Sequence, residues 1–219
     1  MKTALCFTGT GRSIEYTFSN LKQNLIDDIS NCDVIVYLAD NPKAVIAKEY
    51  FESLDNTEVY INKEEPVDLE PYRFRAGWPG RKTSSHEIFI NMLKSRSYMK
   101  TLIGKKNKDY DRVIFSRMDI EFEKPVNKLI ADLDISSLWV PNFHDWGGYN
   151  DRFAVSSKEN MFEYFSLYDN IIDYCKSGHI LHAETSLFHH LKNKNIEVKK
   201  FKILFRRVAS DGSLRESFW

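Results

Sequence analysis

Two carboxylates follow a buried strand in the segment FSRMDIEF. The apolar run RVIF predicts an interior strand, and Arg117, Asp119 and Glu121 come shortly after it. Side chains alternate between the two faces of a strand, so these three share one face if the strand continues. Burying carboxylates there is costly without a compensating cation. Two compensators remain open: Arg117 in a structural ion pair, or Mg²⁺ or Mn²⁺ held by Asp119 with or without Glu121.

A glycine turn follows the first predicted strand. The loop TGTGRS contains Thr8, Gly9, Gly11 and Arg12. Glycines at this place let backbone N–H groups approach an anion at the start of a helix, and a guanidinium suits phosphate oxygens. The lysine-bearing phosphate loop and the three spaced glycines of dinucleotide-binding proteins are both absent from the sequence. The loop therefore predicts either a phosphate or nucleotide site or an ordinary turn.

Asp40 and the segment PYRFRAGW supply two further candidates. Asp40 ends the apolar run DVIVYLAD, where open α/β sheets bind ligands, although a helix cap before Pro42 fits equally well. Arg73, Arg75 and Trp78 lie in a long irregular segment, and such loops are more often functional. Arginine and aromatic side chains pair with phosphates and stack on bases, so this segment predicts a nucleotide clamp or lid. Simple packing of the loop is the alternative.

Alternating strand and helix signals predict the scaffold of these residues. The first third of the chain carries predicted strands at Ala4–Phe7, Asp33–Asp40 and Glu58–Asn62, with helices after Ser13 and over Pro42–Leu54. This alternation predicts right-handed βαβ units. The predicted fold class is α/β, with a mixed, mostly parallel sheet flanked by helices.

Two capping boxes mark the starts of later helices. Ser84 with Glu87 precedes one apolar helix, and Ser156 with Glu159 precedes an aromatic helix that ends near Gly178. The sequence contains no internal repeat and no low-complexity linker.

The composition excludes several classes of protein. The chain has 219 residues, of which 42% are hydrophobic, enough for one large domain or a domain with a subdomain. Lys plus Arg and Asp plus Glu are 31 each, so no net field attracts nucleic acid or an acidic membrane. The three cysteines lack metal-like spacing and predict structural thiols in a reducing compartment. No apolar run approaches the ~20 residues of a spanning helix, so we expect a cytoplasmic protein, with peripheral contact to a membrane-bound substrate still open.

The order of the motifs resembles that of nucleotide-sugar-dependent glycosyltransferases of the GT-A type. In chain order the motifs are TGTGR, DVIVYLAD, YDRVIFSRMDIEF, WVPNFHDWGGYNDRFAVSS, HAETSLFHHL and FRRVASDG. Small bacterial and viral enzymes that build surface or capsular polysaccharide are the members it resembles most. The resemblance implies a single GT-A-like (Rossmann-like) domain, in which 1–122 form a nucleotide-binding half and 123–219 a half for the donor sugar and acceptor.

The resemblance also implies a cofactor at the strand end. The family motif is Asp-x-Asp, which binds a metal that in turn binds the nucleotide pyrophosphate. Asp119 matches the second acid of this motif, and Arg117 replaces the first. Mn²⁺ or Mg²⁺ is therefore the implied cofactor, with Asp119, Glu121 and His182 as candidate ligands. Alternatively, Arg117 itself takes over part of the pyrophosphate neutralisation.

Later motifs supply the implied sugar-side residues. Gly148 and Asp151 lie in WGGYND, where the resemblance implies contact with donor sugar and acceptor, and Asp151 is a hydrogen-bonding group or a base. Glu184 is the second candidate base, with His182 as its partner or as a metal ligand. The alternative for Glu184 is that an acid in the first turn of a helix only favours the helix dipole. A tight turn is the alternative for WGGYND.

The late basic segment completes the expected activity. Arg206 and Arg207 are implied to close over the diphosphate, and a solvated basic strand end is the alternative. The implied activity is a hexosyltransferase-type transfer from a UDP- or GDP-linked sugar to a glycan or lipid-linked acceptor, with no nucleic-acid partner. Two other functions remain open: a nucleotide-sugar-binding module without catalysis, and a methyltransferase that uses S-adenosylmethionine. The methyltransferase would leave the carboxylates of SRMDIEF without a role.

Overall fold

The computed structural model of the chain describes residues 1–27, 29–63, 65–75, 83–106 and 108–215. Nine strands form two sheets in this part of the chain. The strands are β1 Thr3–Gly9, β2 Cys32–Ala39, β3 Thr57–Asn62, β4 Arg112–Arg117, β5 Ile120–Phe122, β6 Leu138–Pro141, β7 Phe153–Ser156, β8 Val198–Phe201 and β9 Phe205–Arg207.

The larger sheet has seven strands in the order β3-β2-β1-β4-β7-β6-β8. Strands β3, β2, β1 and β4 pair in parallel, β7 pairs antiparallel with both of its neighbours, and β6 and β8 pair in parallel. Strand β7 is thus the one reversed strand among the seven described strands of this sheet. The first predicted half of the chain gives four strands to this sheet and the second half gives three. The predicted mixed, mostly parallel sheet is confirmed, while the proposed division at residue 122 stays a prediction.

Helices cover both faces of this sheet. They are α1 Ile14–Leu21, α2 Pro42–Glu52, α3 Thr83–Lys105, α4 Asn127–Ala131, α5 Lys158–Phe165, α6 Leu167–Lys176 and α7 Ala183–Asn193. A π-helical turn, Lys22–Ile26, continues α1, and a 3₁₀ turn, Glu70–Arg75, precedes α3. No helix within the described ranges is both long enough and apolar enough to cross a bilayer.

Strand alternation sends the side chains of each central strand into two separate cores. Leu5 and Phe7 of β1 pack on the face covered by α1 and α2, whereas Ala4 and Cys6 pack on the face covered by α3 and α5. All four are fully buried, as expected for a strand that is covered on both faces. The three cysteines are free thiols, in line with the sequence, and burial raises the pKa of Cys6 well above its ordinary value.

Helix α1 begins directly after Ser13, as predicted, but two predicted capping side chains bond elsewhere. The Ser13 hydroxyl donates to the carbonyl of Val208 (2.9 Å) instead of capping α1. The cap of α5 is Ser157, whose side chain accepts from the Asn160 backbone N–H, while Ser156 ends β7 and its hydroxyl donates to the Ser137 carbonyl. The aromatic helix is also two helices, α5 and α6, separated at Ser166. A serine hydroxyl that already bonds to a carbonyl brought near by the fold does not cap the helix that follows it.

Strand β4 does not continue into the carboxylates. It ends at Arg117, a bend follows, and β5 pairs antiparallel with β9 in a separate two-stranded sheet. Asn20 of α1 anchors this small sheet, because its amide donates to the carbonyl of Phe122 and accepts from the N–H of the same residue. The bend therefore lies between the two sheets, at the carboxyl edge of the parallel strands.

Candidate active site

The glycine turn after β1 is built tightly against α2. Gly11 has a φ of +71°, and a Cβ on it would lie 2.7 Å from the Cβ of Ala47. Both the backbone conformation and the space therefore require glycine. The Asn41 amide donates to the carbonyl of Thr10 (3.0 Å) and holds the turn from the end of β2. Gly9 and Gly11 thus shape the start of α1 at the carboxyl end of a central strand.

Asp119 lies in the bend after β4 as a buried carboxylate among three guanidinium groups. Arg117 donates from Nε to Oδ1 (2.7 Å) and from Nη2 to Oδ2 (2.6 Å), a bidentate pair. Arg207 Nε lies 3.6 Å and Arg12 Nη2 lies 3.8 Å from Oδ2. Burial alone would raise the pKa of Asp119, but the charges of Arg117, Arg207 and Arg12 outweigh it and lower the pKa. The carboxylate therefore stays ionised.

The predicted metal ligands are not gathered at one point. Glu121 lies on β5 with its Oε2 3.7 Å from Nη2 of Arg206, and His182 Nε2 lies 3.5 Å from Oε2 of Glu184. Over the described residues, no group of three or more His, Cys, Asp or Glu side chains has the arrangement of a metal site. Both oxygens of Asp119 already accept hydrogen bonds from Arg117. Mn²⁺ or Mg²⁺ binding stays an untested prediction, and the residues as placed do not fit it.

Two clefts meet at Arg12. The first, of about 180 Å³, lies between the glycine turn, the end of β4 and the outer face of α3. It is lined by Thr8, Gly9, Thr10, Gly11, Arg12, Ser13, Ile88, Asn91, Met92, Ser95, Arg117, Met118 and Asp119. The second cleft is lined by Arg12, Arg207, Ala209, Ser210 and Arg215. An apolar wall on one side and guanidinium groups on the other suit a ligand with one flat apolar part and one anionic part.

A second buried carboxylate, Asp151, forms an ion pair with Arg96 of α3. Arg96 Nη2 donates to Oδ2 of Asp151 (2.9 Å) and to its carbonyl (2.6 Å), and the two side chains are only 2% and 4% exposed. The guanidinium also lies over the rings of Phe115 and Tyr164. Burial would raise the pKa of Asp151, but the charges of Arg96, Arg117 and Arg152 lower it. Asp151 is thus enclosed, and its charge is paired with that of Arg96.

Glu184 has the opposite electrostatics. It lies in the first turn of α7 and is largely buried, with His182 beside it. Burial, followed by the negative charge of Asp151, raises the pKa of Glu184 to about 7, and the charges of Arg152 and Arg96 oppose this rise only in part. Two neighbouring carboxylates whose pKa values are driven apart are the usual arrangement of an acid–base site. Glu184 is therefore the carboxylate able to exchange a proton at neutral pH.

Gly148 fixes the position of Glu184. A Cβ on Gly148 would overlap the carbonyl group of Glu184, and the N–H of Tyr149 donates to that same carbonyl (3.1 Å). The sequence predicted that the backbone at Gly148 approaches a ligand closely; in the structure it approaches the first turn of α7. Gly148 acts on the site through Glu184, whatever it contacts on the ligand side.

Arg117 joins the two carboxylate regions. Its side chain binds Asp119, its charge lowers the pKa of Asp151, and its N–H donates to the carbonyl of Arg152 (3.0 Å). The bend after β4 and the segment before β7 are therefore brought together by strand pairing. Asp119, Arg117, Asp151 and Glu184 thus form a series of interacting charged groups.

Other predicted residues lie apart from this series of charged groups or outside the described residues. Asp40 is exposed at the end of β2, and the cap of α2 is the neighbouring Asn41, whose side chain accepts from the Lys43 N–H. The side chain of Arg75 and the whole of Trp78 lie outside the described residues, so the predicted clamp stays a prediction. Arg206 pairs with Glu121 at 3.7 Å on the small sheet.

Sequence reasoning missed Arg96 and Arg152. Arg96 occupies a position on the apolar face of α3, four residues after Met92 and three before Met99. An arginine at helical spacing within an apolar stripe indicates a buried partner of opposite charge. That signal was present, but the sequence does not tell which carboxylate is the partner.

The fold that positions these residues is similar to those of solved glycosyltransferases. The apo form of mouse xyloside xylosyltransferase 1 is similar with a TM-score of 0.51 at 9% identity, covering 91% of this chain and 84% of that chain. Apo glycosyltransferase GlyE of Streptococcus pneumoniae TIGR4 gives 0.52 at 14% identity, covering 91% of this chain and 45% of GlyE. The chain thus spans less than half the length of GlyE. The sequence matches no protein-family model and no curated protein. The structural similarity shows the fold and confirms the predicted α/β class.

The contact between Gly148 and Glu184 predicts that alanine destabilises the protein at Gly148 but not at another glycine. Gly148→Ala should lower the free energy of unfolding by about 1–3 kcal/mol, because the new methyl group must displace the first turn of α7. Gly104→Ala is the matched control, since Gly104 is a helical residue of α3 with open space around it. That change should be neutral or stabilise by up to ~1 kcal/mol. Urea unfolding measures both, and equal effects would contradict the proposed contact.

The Arg96–Asp151 pair predicts a non-additive response. Arg96→Met should lower the free energy of unfolding by about 3–5 kcal/mol at pH 7, because it leaves an ionised carboxylate buried without its partner. Arg96→Met combined with Asp151→Asn should recover part of that loss, since an amide carries no charge. A double mutant as unstable as the sum of the single mutants would show that the two side chains do not interact.

Proposed function

We propose that this chain is a glycosyltransferase that moves a sugar from a nucleotide diphosphate sugar to a hydroxyl group of a glycan or glycolipid. One observation carries the proposal: a group of arginines around Asp119 is linked electrostatically, through Arg117 and then Asp151, to Glu184, a carboxylate whose pKa is raised to about 7. Both lie on a fold similar to solved glycosyltransferases. Donor charge and acceptor deprotonation each thus have a candidate partner.

The donor side of the proposal rests on charge. Breaking the bond between sugar and diphosphate leaves negative charge on the departing phosphate, and preorganised cations stabilise that charge as it develops. Arg12, Arg117 and Arg207 bring three positive charges against the one negative charge of Asp119. The nucleoside would lie along the adjoining wall of the first cleft, against Ile88 and Met92.

The acceptor side rests on Glu184. An acceptor hydroxyl becomes a nucleophile when a base removes its proton, and a base works best when its pKa is near the working pH. Burial gives Glu184 that property, and Gly148 holds its backbone in place. Asp151, being paired with Arg96, supports this role by raising the pKa of Glu184. A base of this kind serves an inverting transfer.

The proposal predicts donor turnover. The protein is incubated with a panel of UDP- and GDP-linked sugars and simple glycan acceptors, and we expect release of UDP or GDP. A coupled assay detects the free nucleotide. Equilibrium binding of UDP, GDP and S-adenosylmethionine is the accompanying measurement. Nucleotide binding without release for any donor would indicate a binding module, and saturable binding of S-adenosylmethionine alone would indicate a methyltransferase.

Glu184 predicts the pH dependence of that turnover. Its ionised form, the base, increases as pH rises, so kcat/KM should rise through an apparent pKa of about 7 and level off above it. Glu184→Gln should remove this limb and lower the rate by about 10²- to 10⁴-fold. Asp151→Asn should shift the limb to lower pH, because it removes the negative charge that raises the pKa of Glu184 while Arg152 and Arg96 remain. A Glu184→Gln enzyme that keeps the limb would show that another group is the base.

A further inference from the structure

We propose that guanidinium groups, and not a divalent cation, neutralise the donor diphosphate in this protein, so that Asp119 orients arginines and is not a metal ligand. The inference rests on the proposed function and specifies the donor site within it. Its motivation is the placement of Arg117 in the first acidic position of the pattern that the sequence resembles.

The first argument is the occupancy of Asp119. Arg117 donates to both oxygens of Asp119, at 2.7 and 2.6 Å, so the lone pairs on that side of the carboxylate are not open to a metal. Arg207 and Arg12 lie 3.6 and 3.8 Å from Oδ2. A divalent cation at Asp119 would have to use the remaining lone pairs or displace the Arg117 fork, and in either case it would lie beside three positive charges. The carboxylate is chemically suited to a metal, but its surroundings are not.

The second argument is that the arginines converge on open space. Arg117 and Arg12 line the first cleft, and Arg12, Arg207 and Arg215 line the second, so Arg12 belongs to both. The side chains of Arg12, Arg207 and Arg117 are 47%, 28% and 22% exposed. Arginine forks match phosphate oxygens in geometry as well as charge. A diphosphate at the junction of the two clefts would therefore meet guanidinium groups from several chain segments.

The third argument is rigidity. The carbonyl of Asp119 accepts from the N–H of Val208 (2.9 Å), and the carbonyl of Val208 accepts from the Ser13 hydroxyl (2.9 Å). Strand β9, which carries Arg207, also pairs with β5. The glycine turn, the bend after β4 and β9 are thus tied together before any ligand arrives. Fixed cations of this kind supply what a bound metal otherwise supplies, which is preorganised positive charge.

Calorimetry with UDP and GDP, in EDTA and in Mn²⁺, tests the inference without requiring turnover. We expect that whichever nucleotide binds has an affinity in EDTA within about twofold of its affinity in Mn²⁺. Arg12→Gln and Arg207→Gln should each weaken binding in EDTA by about 10- to 100-fold, the usual effect of losing hydrogen bonds to a charged group. Lys48→Gln is the control for net charge, because Lys48 pairs with Glu52 on α2 and lines neither cleft, and this change should leave the affinity unchanged.

Direct Mn²⁺ binding separates the remaining outcomes. Electron paramagnetic resonance should show no stoichiometric Mn²⁺ site in the protein alone. Nucleotide binding that requires Mn²⁺, together with a Mn²⁺ site that Asp119→Asn removes, would overturn the inference and leave the proposed function standing. Binding in EDTA that neither arginine variant weakens would also overturn it. Absence of nucleotide binding in both buffers would overturn the inference and the proposed function together.

Discussion

The buried carboxylate of Asp119 is the constraint on which the candidate site depends. A carboxylate taken out of water costs several kcal/mol unless cations and hydrogen bonds replace its hydration. Arg117, two residues away along the chain, supplies the closest contacts, whereas Arg12 and Arg207 come from distant segments. The glycine turn, the end of β4 and strand β9 must therefore meet at one point for the fold to be stable. The clefts of the site open where these three segments meet.

The same electrostatic logic extends from Asp119 to Glu184. Arg117 lowers the pKa values of both Asp119 and Asp151, and Asp151 in turn raises the pKa of Glu184. Positive and negative groups thus alternate from Asp119 through Arg117 and Asp151 to Glu184. In this arrangement of charges Asp119 and Asp151 stay ionised, whereas the pKa of Glu184 is raised to about 7. The proposed acid–base chemistry consequently depends on the structural ion pairs formed by Asp119 and Asp151.

Local patterns in the sequence were sufficient for the scaffold and for the edge of the sheet where the site lies. The apolar runs of β1, β2 and β4 predicted parallel strands, and the polar residues at their ends predicted where ligands bind. Partners distant along the chain were not predictable, because pairing of Arg96 with Asp151 or of Arg207 with Asp119 requires the packed fold. The missing capping bonds of Ser13 and Ser156 have a similar cause, since both hydroxyls bond to carbonyls that only tertiary structure brings near.

The proposed use of arginines in place of a metal gives the acid at Asp119 a role of its own. A long arginine side chain has roughly 2 kcal/mol of rotamer entropy, which a ligand must overcome if it is to order that side chain on binding. Asp119 orders Arg117 by a bidentate pair and attracts Arg207 and Arg12, so part of that cost is met on folding and not on donor binding. The carboxylate does offset one of the three positive charges. Two remain in excess, which matches the charge that a diphosphate bridge carries when one of its ends is esterified to a nucleoside and the other to a sugar.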